Sequence, residues 1–392
     1  MSSFQPQNVF YATSARLGGV GLDSVALESV IGLHQAGVLG KALAYENRQS
    51  IVPASKIKTM PFAPVKLLSG LRRDYYYGAK KHYADWVASG VLNSGEFDTF
   101  HGWSGDALRT LRVAKARGIP SLLEIPTWHR NKGKIKPPVT KSERERDRAK
   151  WPQSWLNDLL ITRQHVVEEY ELADLILVLS EKAAETFLVQ GVPEGKLFRF
   201  SRGVDPVRFS PVETKPEKLQ FLFVGALIRR KGVAVLLEAW KKLGLRNAEL
   251  VLVGAIHPEV ESVLREFKTD SVRIEGFAKS VEENYRAAHV HVFPSECEGS
   301  AKVTYEAAAC GLAQITTRES GDVVIDGVNG LIVPPNDVDV LAAAMEKLAA
   351  DPDLVARMGT AGRQRVLENF TWDHFRQRLL EAHRVAHQRV HG

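Results

Sequence analysis

The chain has 392 residues, of which 44% are hydrophobic and 25% charged, the composition of an ordinary globular protein. A formal net charge of +6 is too small for this length to indicate nucleic-acid binding, and no run of about 18 apolar residues indicates a membrane span. Residues 1–7 show no secretory signal, and the only cysteines are Cys297 and Cys310, so we expect a cytoplasmic protein without a disulfide framework.

In the first half of the chain, short apolar runs alternate with amphipathic segments, which predicts a parallel sheet built from strand–helix units. The predicted strands cover residues 8–13, 42–45, 99–101, 119–125 and 175–179. The predicted helices cover residues 23–35, 106–117 and 181–190, and Ser180 is placed to cap the last of them.

Residues 205–218 contain three prolines and scattered charges, which is typical of a linker between domains. A second α/β unit follows, with strands predicted at residues 220–224, 249–253, 272–274, 290–293, 314–316 and 330–333 and a helix at 232–243. We therefore expect two Rossmann-like, doubly wound domains, residues 1–205 and 206–371, that face a ligand-binding cleft. The amphipathic segment 372–390 is expected to cross back to the first domain as a helix.

The most informative stretch is residues 293–311, F-P-S-E-C-E-G-S-A-K-V-T-Y-E-A-A-A-C-G, in which a strand, a polar loop and a helix follow one another. Backbone N–H groups at such a helix start suit a phosphate. Glu298 precedes the helix and Glu306 lies about one turn inside it, where carboxylates could accept hydrogen bonds from the hydroxyls of a sugar and a ribose. A capping acid with a helical partner explains the same pair without a ligand.

Five segments in fixed order add weight to the ligand hypothesis. They are E-Y-E-L-A-D-L-I-L-V-L-S (169–180), S-R-G-V-D-P-V-R-F (201–209), F-V-G-A-L-I-R-R-K-G (223–232), P-S-E-C-E-G-S-A-K-V-T-Y-E-A-A-A-C-G (294–311) and I-D-G-V-N-G-L-I-V-P-P-N-D (325–337). With these segments the chain closely resembles glycosyltransferase family 4, the glycosyl transferases group 1, which are retaining enzymes of the GT-B fold. The resemblance covers residues 168–392 and is looser before them.

This resemblance implies roles for the residues of the glutamate loop. It implies that Glu298 contacts the hydroxyls of the donor sugar and that Glu306 binds the ribose. It further implies that the backbone amides of four residues meet the sugar and the β-phosphate: Gly299, Ser300, Ala301 and Lys302.

The family also has a phosphate clamp made of one arginine and one lysine. Lys231 matches the lysine, but Ala226 stands where the family has the arginine. The missing charge could come from Arg229 or Arg230, although both could instead be solvated cations near the start of a helix.

A second glycine-rich segment, R-L-G-G-V-G at residues 16–21, lies between a predicted strand and a predicted helix. It departs from the G-x-G-x-x-G of dinucleotide-binding folds, and Glu46 is a weak candidate for the acid that those folds require. It resembles the G-G-V-G loop with which the transferase family approaches the donor phosphates and the acceptor, which implies donor contacts for Gly18, Gly19 and Gly21. An ordinary tight turn is the alternative.

Two histidines stand at the ends of predicted strands and could face the cleft, His101 in T-F-H-G-W and His129 in P-T-W-H-R. Retaining members of the family usually carry a histidine near the donor sugar, at the position that Pro126 occupies in this sequence. His129 stands three residues later and is favoured over His101. A structural role is the alternative for both.

The string Asp337-Val338-Asp339 could indicate a metal–diphosphate site, but helix capping explains it better. No cluster of Cys and His has metal-ligand spacing, so no metal is expected. No cofactor is expected either, because the nucleotide sugar is a co-substrate.

Two segments combine basic and aromatic residues. Residues 130–150 are rich in Lys and Arg and are flanked by Trp128, Trp151 and Trp155. Residues 71–86 repeat the theme with Arg72, Arg73, Tyr75, Tyr76, Tyr77, Lys80, Lys81 and Trp86. Such a mixture suits an anionic membrane surface, as on the inner membrane face, or an anionic acceptor. A solvated surface is the alternative.

The resemblance implies a hexosyltransferase that moves a sugar from a UDP- or GDP-sugar to a hydroxyl of a glycan, polysaccharide or glycolipid, with retention and without an essential metal. The residues assigned to catalysis are Glu298, Lys231, Arg230 and His129. A nucleotide-sugar epimerase of the same architecture is the nearest alternative, which the order of the motifs suits poorly. A nicotinamide-dependent oxidoreductase is disfavoured because the dinucleotide fingerprint is missing.

Overall fold

A computed structural model describes residues 6–19, 21–60, 73–132, 134, 159–267 and 269–391. The chain divides into two compact units. The first comprises Met1–Val178, Ala184–Phe200 and Arg376–Gly392, and the second comprises Leu179–Ala183 and Ser201–Phe375. The chain thus enters the second unit just before the predicted linker.

The first unit is built on a parallel seven-stranded sheet in the order β5-β3-β1-β6-β7-β8-β9, with a separate parallel pair β2-β4. The strands are β1 (Val9–Ala12), β2 (Arg16–Leu17), β3 (Leu39–Ala44), β4 (Glu46–Asn47), β5 (Ile57–Thr59), β6 (Thr99–Trp103), β7 (Ser121–Glu124), β8 (Leu175–Val178) and β9 (Leu197–Arg199). The α-helices described up to this point of the chain are α1 (Leu22–Gln35), α2 (Arg73–Ser94), α3 (Leu108–Arg117), α4 (Arg163–Leu172) and α5 (Glu181–Leu188).

The second unit is built on a parallel six-stranded sheet in the order β12-β11-β10-β13-β14-β15. The strands are β10 (Leu219–Val224), β11 (Ala248–Val253), β12 (Val272–Gly276), β13 (Val290–Phe293), β14 (Ala313–Thr316) and β15 (Gly330–Ile332). The helices are α6 (Val233–Leu243), α7 (Glu261–Glu266), α8 (Glu282–Ala287), α9 (Lys302–Ala309), α10 (Val338–Ala350), α11 (Pro352–Asn369) and α12 (Trp372–His391).

Both faces of the second sheet are covered, as its central strand β10 shows. Phe221 and Phe223 pack into one hydrophobic cluster, whereas Leu222 and Val224 pack into another. Because neighbouring side chains of a strand point to opposite faces, an uninterrupted apolar run is what a strand buried on both faces requires. This arrangement leaves the carboxyl ends of the strands as the place for polar loops.

The C-terminal helix α12 begins in the second unit and, from Arg376 onward, belongs to the first. Arg376 Nη2 lies 2.6 Å from Glu28 Oε2 of α1. Further along, His383 Nε2 lies 3.2 Å from His101 Nδ1 of β6. The expected crossing of this helix to the first domain is therefore confirmed, as are the two doubly wound α/β folds.

The predicted strands and helices all occur, with ends shifted by a few residues. Ser180 caps α5 as predicted, since the Ala183 N–H donates to its Oγ at 3.1 Å. The short edge strands β5 and β9 and helix α2 were not predicted. Among the described residues, no helix is long and apolar enough to cross a membrane.

Candidate functional site

The candidate site lies in the second unit, where the loops after β10 and β13 meet. Gly232 has a φ of +75°, and a Cβ there would lie 2.2 Å from the Pro294 carbonyl oxygen, so only glycine allows the two loops to touch. The Glu296 N–H also donates to the Arg230 carbonyl at 2.9 Å. Both loops follow the carboxyl ends of adjacent strands, which is where ligands bind in open α/β sheets.

Glu298 stands where these loops meet. Its Oε1 accepts from Arg230 Nη1 at 3.0 Å and from Ser295 Oγ at 3.3 Å, and it lies 4.0 Å from Lys231 Nζ. Arg230 also donates to the Cys297 carbonyl. The Glu298 side chain is 17% exposed, so one carboxylate with two cations beside it still reaches the surface.

The two candidate arginines point to different partners. Arg230 is turned to Glu298, whereas the exposed Arg229 lies beside Glu259, with its N–H donating to Glu259 Oε1 at 3.0 Å. The exposed Ala226 contributes no charge. Arg230 is therefore the arginine that the fold brings to Lys231 and Glu298, and Arg229 is not.

Lys231 is the more enclosed of the two cations. Its Nζ lies 5.3 Å from the centre of the Phe293 ring and would be 3.1 Å from a Cβ on Gly225. Burial lowers the pKa of Lys231, and the nearby Arg230 lowers it further, while Glu298 opposes both effects. A desolvated ammonium with a single carboxylate 4.0 Å away retains capacity for a second anion.

Helix α9 begins without a side-chain cap, at Ala301. The N–H groups of Gly299, Ser300, Lys302 and Val303 have no hydrogen-bond acceptor within the described part of the chain. The Ala301 N–H differs, because it donates to the Ser320 carbonyl at 2.8 Å. The prediction that the amides of residues 299–302 meet the sugar and the β-phosphate is corrected accordingly. The Ala301 N–H is already bound, whereas the Val303 N–H is available.

Glu306 lies deeper than Glu298 and is 6% exposed. Its Oε2 accepts from Tyr285 Oη at 3.0 Å, and its Oε1 lies 3.4 Å from Lys302 Nζ. Burial raises the pKa of Glu306, and the Lys302 charge and the Tyr285 hydrogen bond counteract the effect of burial. Tyr285, on α8, was missed by the sequence analysis, because a lone tyrosine in a short helix carries no signal of its partner.

A further group of residues holds the glutamate loop in place. Ser180 Oγ donates to the Gly299 carbonyl at 2.7 Å, and Ser300 Oγ lies 2.6 Å from Tyr305 Oη. The Glu298 N–H donates to the Glu319 carbonyl at 2.9 Å. These contacts hold the backbone of the loop in place. They do not involve the carboxylate of Glu298 or the N–H groups of Gly299, Ser300, Lys302 and Val303.

The glycine loop belongs to the first unit. Gly18 and Gly21 have φ values of +94° and +64°, and a Cβ on Gly19 would lie 2.4 Å from Asp23 Oδ2. Asp23 Oδ1 accepts from the Arg16 N–H at 3.1 Å. The loop is thus a tight turn closed by Asp23, and donor contacts of its glycines remain a prediction.

Neither histidine side chain reaches the surface of the protein. His101 is fully buried within β6, because that strand continues to Trp103, two residues beyond its predicted end. His129 is 3% exposed; its ring packs 4.9 Å from those of Tyr170 and Phe187, and its Nδ1 accepts from the Asn131 N–H. Burial lowers the pKa of His129 to about 4, with Arg163 a lesser cause. Structural packing accounts for both residues.

The remaining predicted features are also placed. Asp337 caps α10 by accepting from the Val340 N–H at 3.0 Å, as predicted, and Asp339 pairs with Lys242 at 2.6 Å. Cys297 and Cys310 form no disulfide bond with each other. Most of the basic segment 130–150, with Trp151 and Trp155, and the start of segment 71–86 lie outside the described residues.

The chain is similar to known glycosyltransferases. The family model for glycosyl transferases group 1 matches residues 218–351. An alpha-maltose-1-phosphate synthase of Mycolicibacterium smegmatis is 30% identical over 55% of this chain and 64% of its own length. A GDP-mannose-dependent alpha-(1-6)-phosphatidylinositol monomannoside mannosyltransferase of the same organism is 29% identical over 53% and 62%. The chain thus spans less than two thirds of these curated relatives.

Among solved structures, the sucrose-phosphate synthase of Thermosynechococcus elongatus superposes with a TM-score of 0.68 at 20% identity, covering 95% of this chain and 96% of that one. The chain has two Rossmann-like units with parallel sheets, and it superposes on this structure over nearly its whole length. Its fold is therefore the GT-B fold of glycosyltransferases. The chain is thus similar to the glycosyl transferases of group 1, through the family model over residues 218–351 and through these curated relatives. The comparisons give no support to the epimerase alternative.

Proposed function

We propose that this protein is a retaining glycosyltransferase that moves a sugar from a UDP- or GDP-sugar to a hydroxyl of a glycan or glycolipid acceptor. The observation that carries the proposal is the cluster of Glu298, Arg230 and Lys231 beside the uncapped start of α9. A nucleotide-sugar donor needs a carboxylate that accepts hydrogen bonds from its hydroxyls. It also needs cations and backbone amides that bind its phosphates.

In this proposal each residue acts on a defined part of the donor. The diphosphate would accept hydrogen bonds from the amides of Gly299, Ser300, Lys302 and Val303 and ion-pair with Lys231. Glu298 would orient the sugar through its hydroxyls, while Glu306, held by Tyr285 and Lys302, would accept from the ribose.

The same distribution of charge would support transfer without a metal, and retention would require the hydroxyl to bond to the anomeric carbon on the face that the diphosphate leaves. Negative charge grows on the departing diphosphate as the glycosidic bond breaks, and Lys231 with Arg230 would stabilise that charge. The leaving phosphate would be the base that takes the proton of the incoming hydroxyl. The proposal therefore assigns the protein binding, orientation and charge stabilisation, and it no longer gives His129 a direct role.

The proposal also includes a class of acceptor and a cellular location. The relative named as a phosphatidylinositol monomannoside mannosyltransferase motivates a glycolipid acceptor and peripheral binding to an anionic membrane from the cytoplasmic side. Flotation with anionic and neutral vesicles tests this directly. Recovery that is equal with both lipids would exclude a membrane role of the basic–aromatic segments.

The activity itself is tested by incubating the protein with a panel of UDP- and GDP-sugars, with and without EDTA, and detecting the released nucleotide. We expect release of UDP or GDP from one donor class, unaffected by EDTA, and a product with the anomeric configuration of the donor. An intact but converted nucleotide sugar would establish the epimerase alternative instead. The Glu298→Gln variant supplies the control for contaminating hydrolase activity.

A further inference from the structure

A second polar cluster lies in the first unit, at the carboxyl ends of β1 and β3. Arg16 follows β1 and Tyr45 follows β3 directly, and helix α2 adds Tyr76 and Lys80. Tyr45 Oη lies 3.5 Å from Tyr76 Oη, and Lys80 Nζ lies 3.9 Å from the centre of the Tyr45 ring. Residues from three elements thus converge at the edge of the sheet that binds ligands in doubly wound folds.

Lys80 is the unusual member of this cluster. Its Nζ makes no hydrogen bond and no ion pair within the described parts of the chain, although the side chain is half-buried on Tyr45. Burial, and after it the neighbouring Arg16, lower the pKa of Lys80. Lys80 is thus a half-buried cation beside a second cation, and no carboxylate of the described residues contacts it directly, which leaves it able to bind an anion.

The nearby acids are occupied by other groups. Asp106 Oδ2 accepts from the Ser14 N–H at 2.7 Å, and its Oδ1 lies 3.6 Å from Lys81 Nζ. Glu46 Oε2 lies 2.6 Å from Arg48 Nη2 and 3.5 Å from Arg16 Nε. The third acid, Asp23, closes the glycine loop as described above. The charges of these three acids raise the pKa of Lys80, but none of the three forms an ion pair with Lys80, and burial together with Arg16 outweighs them.

The two tyrosines contribute neutral donors. Burial, followed by the hydrogen bond with Tyr76, raises the pKa of Tyr45 to about 12, so its hydroxyl keeps its proton at neutral pH. Two hydroxyls that contact each other use only one O–H between them, which leaves the other O–H able to donate outward.

We propose that Arg16, Tyr45, Tyr76 and Lys80 form a subsite for the phosphate group of a phosphorylated acceptor. An ammonium, a guanidinium and a phenolic O–H match the several acceptor oxygens and the charge of a phosphate, whereas a neutral sugar hydroxyl would leave Lys80 without a directly bound anion. The inference rests on the proposed function, because it defines the class of acceptor that the transferase uses. The phosphate could belong to a soluble sugar phosphate or to a lipid headgroup.

The test measures binding to the full chain. Glucose 1-phosphate is titrated calorimetrically against glucose as the neutral control, and vesicles containing phosphatidylinositol are compared with pure phosphatidylcholine vesicles. The variants are Lys80→Met, Lys80→Arg and the matched control Arg73→Gln, which removes an exposed charge from the same helix. Binding of UDP and GDP is measured on the same samples as an independent check of the second unit.

We expect one phosphate probe to bind the wild type and to lose affinity at least tenfold in Lys80→Met, since a hydrogen bond between charged groups changes affinity by roughly 10- to 100-fold. Lys80→Arg should retain part of the affinity, and Arg73→Gln all of it. Binding of the soluble ester identifies a sugar phosphate as the source, and binding to phosphatidylinositol vesicles alone identifies a lipid headgroup.

Two outcomes would overturn the subsite: no phosphate probe binds the wild type, or Lys80→Met binds as the wild type does. Intact nucleotide binding in either case would leave the proposed transferase function standing. Conversely, a protein that binds the phosphate ester but neither UDP nor GDP would keep the subsite and refute the proposed function.

Discussion

The two glutamates of the second unit occupy different environments, and this difference predicts separable defects. Glu306 is buried and paired, so Glu306→Gln should keep the Tyr285 hydrogen bond but lose the charge that would hold a ribose hydroxyl. We expect nucleotide affinity to fall by roughly tenfold or more, the effect of one charged hydrogen bond. In Glu298→Gln the nucleotide affinity should stay near that of the wild type while transfer slows.

Calorimetry with UDP and GDP and turnover with the active donor distinguish the two variants. Glu238→Gln, on the exposed side of α6, is the matched control and should behave as the wild type. If both site variants bound nucleotide and turned over normally, the assignment of this loop to the donor would be wrong.

Lys231 offers a second test at the residue scale, because its burial is a cost to the folded protein. Burial lowers its pKa, and Arg230 already pairs with Glu298 at 3.0 Å, so Lys231→Met should leave the free energy of unfolding unchanged or raise it by up to about 1 kcal/mol. Transfer should nevertheless fall by roughly 100-fold or more, the usual effect of removing one group that stabilises transition-state charge.

Urea unfolding and donor turnover measure these two effects separately. Lys242→Met removes an exposed ion pair with Asp339 from α6 and should change neither quantity. Parallel losses of stability and turnover in Lys231→Met would instead indicate a structural lysine.

The turn before α6 shows how one element sets the geometry of the site. Gly232 and Gly244 lie at opposite ends of this helix, and both have a positive φ, +75° and +57°. Alanine at either position costs roughly 1 kcal/mol for its left-handed backbone. At Gly232 its Cβ would also lie 2.2 Å from the Pro294 carbonyl oxygen, which adds roughly 1–3 kcal/mol of overpacking, whereas Gly244 faces open space.

Gly232→Ala should therefore unfold at lower urea concentration than Gly244→Ala and should bind nucleotide more weakly, since the loop of Glu298 must move. Equal stability of the two variants, with equal nucleotide affinity, would show that the contact between the two loops is unimportant for the site. Unfolding curves and calorimetry on the pair suffice for this comparison.

Periodicity predicted most of the sheet strands and several helices of both units because the apolar residues that form them are local in sequence. Val290–Phe293 was predicted residue by residue, and Trp372–His391 was predicted as a helix that returns to the first unit. Periodicity cannot predict contacts between residues that are distant in sequence. Tyr285 on α8 meets Glu306 on α9, and Ser180 meets Gly299 although 119 positions separate them in the sequence.

The histidines show a second reason why sequence reasoning fails at particular sites. A histidine after a strand is equally compatible with an exposed ligand contact and with packing against a helix. His129 is enclosed by Tyr170 and Phe187, which come from segments far along the chain. Burial is a property of the whole unit, so a single sequence does not reveal it.

At the scale of the whole molecule, buried neutral histidines make stability depend on pH. The folded pKa of His129 is about 4 and that of His291 about 4, both depressed by burial, and burial lowers the pKa of His383 as well. Because the unfolded chain takes up these protons first, near its ordinary pKa of 6.5, this contribution to stability is present above pH 6.5 and is lost as pH falls toward 4.

His129→Phe isolates one part of this dependence. The variant loses the hydrogen bond from the Asn131 N–H and should be less stable than the wild type at pH 7.5, yet the difference should shrink as pH falls from 6.5 to 4, because phenylalanine binds no proton. Urea unfolding followed across this range gives the slope directly. His257→Gln, at a 58% exposed side chain, is the control and should reproduce the wild-type slope. A stability difference between His129→Phe and the wild type that stayed constant with pH would mean that His129 is protonated alike in the folded and unfolded chains.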